Sequence, residues 1–222
     1  MMCSYAAADV VNGVVTAGSA PPIPLLPLVT VAPPPSATII NFDDVSVPCI
    51  FAQTAGPLTS AYASRGILFS GPVSGSGGAV LNECGGFSVT GHSSPNFLAF
   101  NTAAAGTLPN GGTPIGPETL TFSTPVEFVQ ANVGSSNAGT ITLACFAGST
   151  LLGTSTTIGA SSLTTLSVHA ANITSCTLAF SGTVLVVDNV AFAVSIPTLS
   201  HPLLWALSII LAAIAMARLA RT

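Results

Sequence analysis

Four residues have the oxygen-bearing side chains that a hard cation takes as ligands. Asp43 and Asp44 close the first apolar stretch of the body, and Asp188 with Asn189 lies in its last one. If those stretches are neighbouring strands, three carboxylates and an amide oxygen meet, a set suited to Ca2+, which takes about 6–8 oxygens. No DxDxDG loop accompanies them, and the same residues also serve as turn caps, since Asp bonds readily to its own backbone. Acid–base chemistry has less to draw on. Glu83, Glu118 and Glu127 are the only glutamates and stand apart, whereas glycoside hydrolysis needs two carboxylates across a cleft. His92, in Thr90-Gly91-His92-Ser93-Ser94, is spaced to meet a serine, and His169 follows an apolar run. No GxSxG elbow goes with either, so both read as ordinary loop histidines. Tyr62 and Phe97 carry rings able to stack on a sugar, yet such residues more often belong to the core.

Five cysteines complete the reactive set: Cys3, Cys49, Cys84, Cys145 and Cys176. None forms a CxxC pair and no histidine lies at ligand spacing, which argues against zinc. The four body cysteines allow three pairings, of which Cys49–Cys84 with Cys145–Cys176 keeps each bridge within one half of the body. Four free thiols are the alternative in a reducing compartment.

Composition narrows the function classes. Charged residues are 5% of the 222, against roughly 25% in an ordinary domain. There is no lysine, and Arg65 is the only basic side chain before the last five residues. Nucleic-acid binding needs clustered Lys and Arg to displace counterions, so no nucleic-acid partner is expected. A net charge of −4 argues equally against anionic lipid headgroups. With 49% apolar residues the chain has ample material for a core, unlike a disordered tail.

Glycine, serine, threonine and β-branched residues favour short strands. Residues 1–36 form an N-terminal segment that becomes a proline-rich linker, with prolines at 21, 22, 24, 27, 33, 34 and 35. Its first 20 residues lack Lys and Arg and contain Asp9, unlike a secretory signal with its positive n-region. Either export uses an unusual signal or translation starts upstream. Residues 37–195 then read as one all-β domain. Strands are predicted at 38–42, 66–70, 79–82, 86–90, 96–100, 119–123, 127–133, 140–146, 151–157, 163–168, 175–180 and 184–193. A turn at Pro125 separates two of them, and Ala147-Gly148-Ser149 makes a hairpin. In Thr119-Leu120-Thr121-Phe122-Ser123, Leu120 and Phe122 share one face. Short strands with turn signals every 8–12 residues indicate a sandwich or barrel.

Several pieces in order resemble the β-sandwich cargo domains of bacterial proteins that carry PEP-type or IPTL-type sorting tails. They are Asn41-Phe42-Asp43-Asp44, Tyr62 with Gly66-Ile67-Leu68-Phe69, and the stretch Ser93 to Asn101. Leu120 to Val126 and Val187-Asp188-Asn189-Val190-Ala191-Phe192 complete the set. The resemblance implies a jelly-roll-like antiparallel β-sandwich, similar in build to carbohydrate-binding modules.

Residues 196–222 supply a second resemblance. Ile196-Pro197-Thr198-Leu199-Ser200 is similar to the opening of the IPTL-type sorting signal, which implies processing by an exosortase-like membrane peptidase. His201 and Pro202 stand where that pattern has an acidic residue and a Trp, and Trp205 comes later. Pro202 to Ala217 is 16 residues without a charge, and with its flanks it reaches the roughly 20 that one transmembrane helix needs. Trp205 fits an interfacial position, and Arg218 with Arg221 fits the positive-inside rule. That orientation leaves the body outside the cytoplasm and favours disulfides. The expectation is an exported, membrane-tethered envelope or matrix protein, non-catalytic, with surface glycan as a candidate partner. The competing expectation is a secreted glycan- or ester-directed hydrolase on the same scaffold.

Overall fold

The computed structural model describes residues 10–11, 14–15, 32–50, 56–72, 76–84, 88–100, 116–182 and 185–194, with Ile209 and Met216. The chain divides into two compact units, Met1–Thr30 and Val31–Thr222. In the first, β1 (Val10–Val11) pairs antiparallel with β2 (Val14–Val15).

In the second unit the predicted alternation becomes one continuous antiparallel sheet of nine strands. Six come early or are short: β3 (Thr38–Ile40), β4 (Ile67–Ser70), β5 (Val80–Asn82), β6 (Asn96–Leu98), β8 (Thr140–Ala147) and β9 (Thr150–Ile158). The other three are β7 (Glu118–Gly134), β10 (Thr164–Phe180) and β11 (Val186–Val194). The strands β7 and β10, each 17 residues long, run through both halves of the unit. Their first-to-last stretch of pairing, Thr164 opposite Val133 to Leu178 opposite Glu118, is the spine. One half sets β11 beside the C-terminal part of β7, with β3 and β6 on β11 and β5 on β6. The other half sets β4 beside the N-terminal part of β7, with β8 and then β9 beyond β10.

Two sequence expectations are corrected by this spine. The stretches 119–123 and 127–133 belong to one strand, and so do 163–168 and 175–180. Pro125 does not end β7, because the ladder is interrupted there: β7 carries extra residues between Thr121 and Val126, opposite Ile173 and Ser175. A residue without an N–H is tolerated where no ladder partner awaits it. On β10 the matching irregularity lies between His169 and Ile173 and includes Asn172 at φ 63°. Both long strands carry their irregularity at one level, where a bulge lets a strand change direction and serve two halves. The predicted strand at 86–90 is absent among its described residues, 88–90, where only Thr90 makes an isolated bridge, to Ser162.

The core lies between the halves and joins them. Leu120, Ile141, Leu143 and Leu178 from one meet Ile40, Val129, Leu166 and Val190 from the other in one buried cluster. Phe122 and Phe192 touch across it with ring centroids 5.1 Å apart, and Phe42, Tyr62 and Phe69 form edge-on pairs near 6 Å. Tyr62 is 4% and Phe97 1% exposed, so both are core residues as the commoner expectation had it.

Both disulfides form. Cys145 and Cys176 face one another directly on β8 and β10, with Cα atoms 4.0 Å apart and both side chains fully buried. Cys49–Cys84 joins two exposed loop positions at a Cα separation of 5.0 Å. Sequence separations of 31 and 35 correspond to about 4 kcal/mol of unfolded-state entropy each in the chain-entropy estimate. Burial makes their accessibility unequal. Mild reduction of the native protein followed by alkylation and peptide mass spectrometry should label Cys49 and Cys84 well before Cys145 and Cys176; equal labelling would contradict the arrangement.

Candidate functional site

The polar side chains gather where β3, β6 and β11 end. Beyond Ile40 the chain turns through Phe42 at φ 66°, and the turn is fastened from both sides. Asn41 Nδ2 donates to Asp43 Oδ2 at 2.9 Å, and the Asn96 N–H donates to Asp43 Oδ1 at 3.0 Å. Asn96, 1% exposed, sends its side-chain amide to the carbonyls of Phe42 (2.9 Å) and Val45 (2.8 Å). Its own Oδ1 is buried without a hydrogen-bond partner.

Asp188, fully buried, is the acceptor for the loop that precedes β6. It takes the Ser93 N–H at 2.5 Å and the Ser93 hydroxyl at 3.3 Å, while the Asn189 N–H and side-chain amide reach it at 2.7 and 2.8 Å. Burial pushes its pKa up, the hydrogen bonds from Ser93 and Asn189 oppose that, and the nearby Asp43 charge adds to the rise.

The first and last strands of the sandwich are neighbours, since β3 pairs with β11, and Asp43 and Asp188 do approach one another. The four expected calcium ligands nonetheless divide. Asp44 is turned the other way, accepting from the Tyr62 hydroxyl and, at 3.4 Å, from Arg65. The oxygens of Asp43 and Asp188 accept from the protein's own N–H and O–H groups, and Asn189 donates its amide to Asp188. Among the described residues no three His, Cys, Asp or Glu side chains converge to hold a metal ion. The turn-capping use of these aspartates is the one their contacts display.

Arg65, the only arginine among the described residues, has partners too. It closes a short 3-10 turn, Ala63–Arg65, pairs with Asp44, donates to the Ile39 carbonyl and lies 5.6 Å from the Tyr62 ring centre. Burial, followed by the hydrogen bond to the Asp44 carboxylate, pushes the Tyr62 phenol up.

Histidine chemistry takes an unexpected form. His92 Nε2 lies 3.2 Å from Glu83 Oε2, its Nδ1 lies 2.8 Å from the Ser93 carbonyl, and the Ser94 hydroxyl donates to Glu83 Oε1 at 2.6 Å. The carboxylate therefore stands between serine and imidazole. In an acyl-transfer triad the imidazole stands between, taking the serine proton, so this order does not activate Ser94. His169 is exposed on β10 with its ring 6.4 Å from Phe128.

Glu118 is the outlier. It is fully buried at the start of β7, with neither carboxyl oxygen hydrogen-bonded. Burial raises its pKa to about 8; the Gly78 N–H opposes this without closing a bond of ordinary geometry. Alternation with Leu120 and Phe122 places Glu118 on the inner face, but nothing in the sequence shows that its carboxyl is left without a donor there. Nor could it reveal Asp188 and Ser93, 95 residues apart.

No family model matches the chain, and no curated protein does. Some solved structures align with part of the chain. The CBM22 and GH10 modules of a Clostridium thermocellum endo-1,4-β-D-xylanase, complexed with xylohexaose, align over 67% of this chain at 12% identity and a TM-score of 0.35. This chain spans 29% of that one. A family 6 carbohydrate-binding module dissected for its binding sub-sites aligns at 20% identity and TM-score 0.28. One from Clostridium stercorarium in complex with cellobiose aligns at 26% and 0.27. Each of these two covers 53% of this chain and is 94% covered itself. At such TM-scores they assign neither ligand nor site.

Two outcomes follow. An acid whose folded pKa lies above its unfolded value disfavours the folded state as pH rises between the two. Stability should therefore fall between about pH 4.5 and 8, by on the order of 5 kcal/mol for Glu118. Denaturant midpoints across that range should lose most of their slope in Glu118→Gln, and an unchanged slope would refute the assignment. Asp188→Ala should cost about 2–3 kcal/mol in the same assay, because it strands the half-buried donors of Ser93 and Asn189.

Proposed function

We propose that this chain is an exported, non-catalytic protein of the cell envelope or extracellular matrix. Its body is a jelly-roll-like sandwich lying outside the cytoplasm and followed by one C-terminal membrane helix. The tail beginning Ile196-Pro197-Thr198-Leu199-Ser200 is recognised by an exosortase-like peptidase, and the body meets surface glycan. The tail lies outside the described residues except for Ile209 and Met216, both helical. Among the described residues no helix is long and apolar enough to cross a membrane.

The observation that carries the reading is the paired state of Cys49–Cys84 and Cys145–Cys176. Disulfides persist in oxidising compartments and are rare in the cytosol, which agrees with the orientation set by Arg218 and Arg221. The polar cluster supports a non-catalytic role, since its carboxylates fasten turns and Glu83 separates Ser94 from His92.

Deleting Ile196 to Thr222 tests the proposal. Fractionation should find the full chain with the membrane or cell surface and the truncated chain in the medium. Retention of the truncated chain in the cytoplasm would overturn it.

A further inference from the structure

The half of the sheet built from β4, β8, β9 and the paired ends of β7 and β10 turns one face to the core and leaves the other open. Alternation fixes which residues lie where. Ile67, Phe69, Leu120, Ile141, Leu143, Cys145 and their inward neighbours are almost wholly buried. Their alternates are exposed or half-exposed. Cross-strand register lines these up in rows. One row runs Ser70, Thr119, Thr177, Ala144, Thr154 across five strands. The next sets Thr121 beside Ser175, followed by the half-exposed ring of Phe146 and then Leu151, 55% exposed.

Charge is missing from this face. Within the strand segments 67–70, 118–122, 140–147, 150–158 and 175–180 the only acidic or basic side chain is Glu118, which points inward. Anionic polymers and lipid headgroups are held by Lys and Arg, and here they would meet none. A face of hydroxyls with a ring and a few aliphatic side chains is complementary to a ligand that is itself neutral, rich in hydroxyls and apolar on its ring faces. Among the described residues no hydrogen bond occupies the hydroxyls of Thr119, Thr121, Ser175 or Thr177.

We infer that this open face is a docking surface for a neutral polysaccharide, with the Thr119–Thr177 and Thr121–Ser175 pairs supplying hydrogen bonds and Phe146 the stacking ring. The inference rests on the proposal that the body meets glycan, and it names the face and the charge class of the ligand. Hydroxyl-to-hydroxyl contact with little ionic component makes binding insensitive to salt.

Co-sedimentation of the purified full chain tests it, using cellulose, chitin and a β-1,3-glucan as neutral probes, with alginate and anionic vesicles alongside. At least one neutral polysaccharide should retain the protein equally at low and high salt. Thr177→Asp should weaken retention about tenfold or more, and Phe146→Ala comparably, since buried central contacts dominate such interfaces. Ser46→Asp, on a loop away from the face, should leave it unchanged. Intact disulfides and an unaltered melting profile establish that each variant is folded, and Phe146→Ala stands in if Thr177→Asp is not. Retention by no neutral polysaccharide, preference for alginate or vesicles, or self-association abolished by the same variants would each overturn the inference. Because it uses purified protein, failure here leaves the export reading, judged by fractionation, untouched.

Discussion

The pairing of β7 with β10 is the constraint on which the rest depends. The two strands hydrogen-bond from Thr164 opposite Val133 to Leu178 opposite Glu118, and every other strand of the sandwich adds to one of them directly or through a neighbour. Their bend turns one ribbon into two halves whose inner faces meet. With few charges available, stability must come from this backbone ladder, the apolar core and two covalent bridges. Cys145–Cys176 sits directly on the β8–β10 register and ties the spine to its neighbour at the centre of the core.

Local periodicity was enough to reveal most strands. Leu120 and Phe122 alternate with threonines, and Ile141, Leu143 and Cys145 do the same on β8, so the inner face could be read directly. The joins were harder. Pro125 looks like a strand end because proline breaks a ladder, yet here it falls where the ladder with the distant strand β10 is already interrupted by a bulge. Bulges belong to pairs of strands, and a single strand's sequence does not show its partner's register.

The polar cluster was legible in its members and illegible in its wiring. Asp43, Asp44 and Asp188 are conspicuous in a chain with few acids, and the amide of Asn189 stands beside the last of them. Which donors they face depends on long-range contacts: Ser93 on Asp188, Asn96 on Asp43, Arg65 on Asp44. Those contacts turn a candidate cation cage into a set of loop fasteners. The same logic explains Glu83, whose alignment with His92 and Ser94 arises from the turn before β6. Scarcity of charge has two effects here. Asp43, Asp188 and Glu83 each have donors to themselves, whereas the buried Glu118 has none; outside, one sheet face presents only hydroxyls and apolar groups.

The proposed topology puts the disulfide-bonded sandwich outside the cytoplasm and the tail in the membrane. Protease treatment of intact spheroplasts carrying the full chain measures that topology directly. Added protease should remove the sandwich without lysis, leaving only a short membrane-bound fragment that contains Arg218 and Arg221. Protection of the sandwich until the membrane is broken would contradict it.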